Sequence, residues 1–385
     1  MAGTDITGLL EAVQKKINAV DSSASTGDLL RLLSAVRQSG TPSVFSYNGD
    51  EFPNLLDGTD DLQMLAYNLD SDKLYFQKDR WLAKVTPPPP HYQGTNFGYS
   101  SGGFTGDAWG DRYDVIDKFP FSSDANATDV GDLTLNRSPS SGQSSSEHGY
   151  TCGGRTPQYP SAGTATNIID KFPFSSDANA TDVGDLAFAT FAVGGGNSST
   201  THGYSCGGEG GLRDRILKFP FASDANATYT ANLTYVRDFN AGQSSSENGY
   251  VSGGVPTSTG IDKFPFAADV NATDVGDLTV ARFACGQMSA THGYASGGTT
   301  PSLANVIDKF PFASDGNATD VGDLTVARYV SAGQSSTSFG HVSGGSWPFY
   351  AANNIIDKFP FASDGNATDV GDLTLARMVS SGQQY

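Results

Sequence analysis

What this chain lacks narrows it first. Its three cysteines, Cys152, Cys206 and Cys285, are an odd number, and no two stand in a C-x-x-C pair. Neither a disulfide framework nor a zinc site is signalled. Cys152 and Cys206 occupy equivalent points of successive repeats, as packed free thiols would. Charged residues make up only 17% of 385, and no run of Lys and Arg interrupts a net charge of −18. A nucleic-acid backbone or an anionic membrane surface is a poor partner for such a chain. No window holds the ~18 uninterrupted apolar residues that would span a bilayer, so no membrane insertion is expected. The opening MAGTDITGLLEAVQKK lacks the basic start and long apolar core of a signal peptide. Helical periodicity is missing from most of the chain, while 46 glycines favour turns and strands.

What is present is a repeat. It is anchored on K-F-P-F, whose lysines fall at 118, 171, 218, 263, 309 and 358. Phe, Tyr, Val, Ile and Thr cluster between turn residues within each unit, which predicts short strands. Strand a is expected around SAGQSS, strand b at HGYxSGG, strand c at IDKFPF and strand d at GDLTVAR, with ASDGNATDV as the c–d hairpin tip. Four short strands about every 45 residues mark a β-propeller blade. The first copy, FGYSSGG at 97–103, has no strand a before it, and the chain ends on SGQQY, a strand a with nothing after it. Joined, the two complete a sixth blade, and the ring closes with no inner edge left unpaired.

The Gly pairs at 102–103, 153–154, 207–208, 253–254, 297–298 and 344–345, followed by an Arg at 137, 237, 282, 328 and 377, resemble the kelch repeat. Thr190 departs at the Arg position, and phenylalanines stand where kelch repeats carry Tyr and Trp. The wording DKFPFASDxNATDVGDLT is similar to repeats in virion proteins of marine bacteriophages, cyanophages among them. That resemblance implies a structural protein of the tail-fibre or appendage type, located in the virion and in the host cytoplasm during assembly. The alternative is a carbohydrate-binding propeller outside any virion.

The fold class expected is mainly β: a six-bladed propeller over 96–385, preceded by a helical docking or oligomerisation segment (1–41), a small antiparallel β module (42–86) and a Pro-rich linker (87–95). Ile6, Leu10, Val13, Ile17 and Val20 step at helical spacing, as do Leu29, Leu32, Leu33 and Val36. LQMLAYN, KLYFQ and WLAKV read as strands of a meander. On the virion reading, residues 1–95 dock on other virion proteins and self-association is expected.

Chemistry is sparse, and neither catalysis nor a cofactor is expected: no nucleophile elbow, phosphate loop or H-E-x-x-H occurs. Asp124, Asn126, Thr128 and Asp132 have the 1, 3, 5, 9 spacing of a calcium loop, without its Gly at 6 or its Glu at 12. Asx turns closing a hairpin explain the same letters. Asp117, Lys118 and the Arg after strand d read as a c–d or cross-blade ion pair. Gln143, Asn197, Gln243, Gln287, Gln334 and Gln383 read as the lining of a wet central channel. His148, His202 and His292 read as solvated turn residues.

Variation is concentrated elsewhere. Between the Gly pair and strand c the six loops hold 12, 14, 7, 6, 8 and 10 residues, and the three longest belong to blades that become neighbours on closure. They carry Phe104, Trp109, Arg112, Tyr113, Arg155, Tyr159, Trp347, Phe349 and Tyr350. Aromatic loops of varied length on a rigid scaffold suit recognition of a host-surface glycan or protein. Packing against the ring is the plainer use of the same residues.

Overall fold

A computed structural model describes residues 43–47, 64–68, 73–78, 81–84 and 93–385, save 107–110, 139–140, 158–162, 193, 210–212, 257, 301 and 349–350. The helical segment expected over 1–41 lies outside the described residues. The chain divides into two compact units, Met1–Pro88 and Pro89–Tyr385. In the first, strands Ser43–Tyr47, Met64–Asn68, Lys73–Lys78 and Trp81–Lys84 form one sheet in chain order. The last three pair antiparallel, and the first joins in parallel at the edge, so the sheet is mixed.

The second unit is the six-bladed propeller. Each blade is a four-stranded antiparallel sheet in the order a-b-c-d. Blade two shows the pattern: Ser141–Ser144, His148–Arg155, Ala165–Pro173 and Thr181–Asp185. Blade one takes its strand a from the far end of the chain, where Ser381–Gln384 pairs with Phe97–Ser101. Tyr385 fastens the join: its carbonyl accepts from the amides of Thr95, Asn96 and Phe97. Among the described residues there is no helix.

Strand d is not where the sequence suggests. It covers TDVGD at Thr128–Asp132, beginning within the expected hairpin tip, keeping only the first two residues of the expected strand and ending before the LTxxR segment. The reason is a competing partner. In all six blades the next blade's tip takes the backbone of strand d's last residue: the Asp132 amide donates to Asn179 Oδ1 and its carbonyl accepts from the Ala180 amide. Beyond it, the Thr134 amide and hydroxyl both donate to the Asp170 carboxylate of that next blade.

That crossing builds the seams. Arg137, Arg237, Arg282, Arg328 and Arg377 are wholly buried, each against a strand c aspartate of the following blade: Asp170, Asp262, Asp308, Asp357 and Asp117, at 2.7 to 3.2 Å. The ion pair suggested by the sequence is therefore the cross-blade one. Arg282 is fully engaged, with Nε donating to Gly297 O, Nη2 to Ala295 O and Nη1 to Asp308. Further out, Lys118 and its five equivalents reach the tip aspartates of the next blade, Asp177, Asp224, Asp269, Asp315, Asp364 and Asp124. Such exposed pairs contribute little each, but they point every tip the same way.

Between blades lies an aromatic stack. The Tyr of strand b (Tyr99, Tyr150, Tyr204, Tyr250, Tyr294) lies on the second Phe of the neighbouring K-F-P-F at 4.7 to 5.0 Å between ring centroids. In blade six His341 takes that place, stacked on Phe121 at 4.8 Å. Stacking of this kind adds about 0.5–1.5 kcal/mol per pair beyond area burial.

The axis is tight. A Cβ on the strand a glycines would meet the preceding blade's glycine carbonyl, at 2.3 Å for Gly142, 2.1 Å for Gly196 and 2.2 Å for Gly286. Gly242, Gly333 and Gly382 complete the ring on the same terms. The glutamines expected to line a wet channel are turned away from it and buried. Nε2 of Gln143, Gln243, Gln334 and Gln383 donates to the strand b carbonyls of Tyr204, Tyr294, Tyr99 and Tyr150 in the next blade. Alternation along strand a explains this: when glycine must face the axis, its neighbour faces the seam.

Candidate functional site

Because strand b ends and strand a begins at the same end of each sheet, the b–c loops and the d–a connections share one face. At its centre is a pocket of about 90 Å³, lined along the axis by strand a, with its glycines and serines, and at the face by Phe239, Phe283, Val330 and Val379.

The wall is held in an unusual backbone. Ala192, Phe239, Val330 and Val379, at equivalent places in four d–a connections, have φ of 57, 51, 51 and 52°. For branched or bulky residues that left-handed conformation costs on the order of 1–3 kcal/mol each. Hydrogen bonds between neighbouring connections hold it: the Phe239 amide donates to Ala192 O, and the Val379 amide to Val330 O. Blade five interrupts the pattern, since its connection runs R-F-A-C-G-Q where blade six has R-Y-V-S-A-G-Q. Phe283 there lies 5.8 Å from both the Phe239 and Tyr329 rings, giving an aromatic row beside the pocket. Next to Phe239, Asn240 is fully buried, and its Oδ1 has no hydrogen-bond partner while Nδ2 donates to Cys206 O.

Lower on the axis the strand amides are tied by side chains. Ser198 Oγ accepts from the Ser144 amide, Ser244 Oγ from Ser198, Ser335 Oγ from Met288 and Ser144 Oγ from Gln384. Met288 has no hydroxyl to offer Ser244, so blade five breaks this ring as well.

The residues singled out in the loops divide into three groups. Trp109, Tyr159, Phe349 and Tyr350 lie outside the described residues. Arg112 and Arg155 are engaged with the scaffold: their guanidiniums lie over the Phe104 and Phe191 rings, at 5.7 and 3.6 Å from the centroids. Burial, and then the nearby Arg155, lowers the Arg112 pKa from its ordinary value. Tyr113 is half-buried, its hydroxyl 3.5 Å from Thr105 Oγ1. Trp347 is different: 52% exposed, it stands out from the face.

The calcium-loop residues are spread over structural tasks. Asp124 pairs with Lys358, Asn126 Oδ1 accepts from the Asp372 amide, and Thr128 Oγ1 donates to Lys118 O. Asp132 closes strand d, and its amide donates to Asn179 Oδ1. Among the described residues no group of three or more His, Cys, Asp and Glu side chains is gathered in metal-binding fashion. His148, His202 and His292 are half-buried, and burial lowers each pKa. The three thiols are buried and free, and burial raises their pKa values.

The pocket wall escaped the sequence reading because a left-handed Val or Phe leaves no compositional mark. The missing residue of blade five was the one available signal, visible on aligning the connections. Neither a protein-family model nor a curated protein matches this chain, so any use of this face is inferred from its geometry.

Proposed function

We propose that this chain is a non-enzymatic recognition protein of a phage virion, of the tail-fibre or appendage type, with the b–c face as its contact surface. One observation carries the reading. The repeated polar side chains (Asp117, Lys118, Gln143, Arg137 and their equivalents) are used in fastening blade to blade, whereas the face that differs between blades carries Trp347, the aromatic row and the pocket. A scaffold of repeated seams with one varied face suits binding better than turnover. The virion assignment rests on the resemblance of the repeat wording to phage virion proteins.

An exposed indole on the same face as the aromatic row favours a sugar ring as ligand, through stacking of C–H bonds on the ring face. The test is a glycan array probed with the full chain and with Trp347→Ala. Binding by the first and at least a tenfold loss in the second is expected. Hydrolysis of a bound glycan would overturn the non-enzymatic reading. Cryo-electron microscopy of particles tests the virion assignment separately, since a propeller absent from their surface would remove it while leaving glycan binding standing.

A further inference from the structure

Strand d is the outer edge of every blade; the next blade's tip takes the amide and carbonyl of its last residue, and the residues before it have no strand on their outer side. In five blades it reads TDVGD, putting two carboxylates on the edge. Charge on an edge strand is a common means of blocking strand pairing between molecules. Blade three is the exception: Thr228–Asn232 reads TYTAN and carries no charge.

The departure extends around that strand. From strand c to the position after LTxx, net charge is −2 or −3 in the other five blades and +1 in blade three. Tyr229 is 49% exposed, and its hydroxyl donates to Asn232 Oδ1. The Asn232 amide in turn donates to Asn271 Oδ1, which brings Val270, 50% exposed, to the same spot. The other tips have Ala or Gly at the Val270 position. Two of the three most exposed large apolar side chains among the described residues therefore flank the one uncharged edge.

We propose that this edge pairs with the same edge of a second copy of the chain, antiparallel about a two-fold axis. Charge selects the occupant. The chain carries −18, so two copies meeting through any TDVGD edge would set four carboxylates against each other along a short ladder. Through TYTAN they oppose none, and each copy lays Tyr229 and Val270 along the partner's strand. A two-fold contact needs one self-complementary patch, and this edge supplies it.

The test restores the common edge with Tyr229→Asp and Asn232→Asp, residues that five blades already hold at these positions. Sedimentation velocity of the full chain at tens of micromolar then compares the variant with the wild type, with a thermal melt confirming an intact ring. The expected result is a halving of assembly mass in the variant, whatever other self-association the chain has. Equal masses would overturn the proposal, as would a monomeric wild type, which would leave the edge to another partner or to none.

Discussion

Five seams of the ring close on a buried Arg–Asp pair, and the seam between blades two and three closes without one. There, Thr190 stands for the arginine, Leu217 for the aspartate and Ala187 for the threonine that binds it. Leu217 is buried against Leu186 and Phe219, while Thr190 Oγ1 donates to Glu209 O. All three members changed together. Single replacements would strand a charge in the seam, whereas the full exchange leaves ordinary apolar packing. A buried ion pair is stabilising mainly relative to its own half-broken state, and replacing it whole is often neutral. The ring thus contains its own control, an apolar seam beside five ionic ones.

The largest effect is expected where a seam loses its strand as well as its pair. Deleting 376–385 removes Arg377 and the strand that closes blade one. The loss should be on the order of 5 kcal/mol or more, enough to unfold a domain of ordinary stability. Calorimetry would show the main transition gone, and an unchanged melt would refute closure by the terminal strand.

Next comes the exchange itself. Asp308→Leu alone should cost about 3–5 kcal/mol, because it leaves Arg282 charged and buried. The triple variant Thr279→Ala, Arg282→Thr, Asp308→Leu should recover most of that loss in denaturant titrations. If the triple is as unstable as the single, the seam between blades two and three owes its stability to something other than these three positions.

The smallest effect at neutral pH concerns the aromatic stack, where blade six has His341 among five tyrosines. Burial, and then Lys358, lowers the His341 pKa from 6.5 to about 3, against a raising influence from Asp124. The fold accepts the neutral ring, so stability from this group is full above pH 6.5 and declines as pH falls through the window to about 3. The slope there is about 1.4 kcal/mol per pH unit. His341→Tyr should remove that component while moving the neutral-pH melt only slightly. An acid-induced loss of the same slope in the variant would assign the sensitivity to other groups.

Strands b and c, the blade number and the closing partnership of 97–101 with 381–384 were legible in the sequence, because turn glycines and K-F-P-F recur at a fixed order. Strand d was misplaced because TDVGD has the composition of a turn, and only the bonds that the next blade's tip makes to its last residue show where the sheet ends. Gln143 and its equivalents read as channel residues because sequence shows polarity but not direction. Leu217 could have been read against Thr190 from the letters alone. The pocket could not, since the backbone of Phe239, Val330 and Val379 is fixed by contacts between blades rather than by their own preference.

The glycine ring has a consequence for how such a chain can change. Near-identical tandem units invite unequal recombination, which adds or drops a copy without disturbing the reading frame. Six glycines, each touching the next carbonyl around the axis, form a contact that is satisfied at one circumference only. A five- or seven-copy descendant would have to crowd or part them, and its terminal strand would arrive at a gap of the wrong width. The axis therefore counts the repeats, and diversity is left to the loops, where length can drift without altering the count.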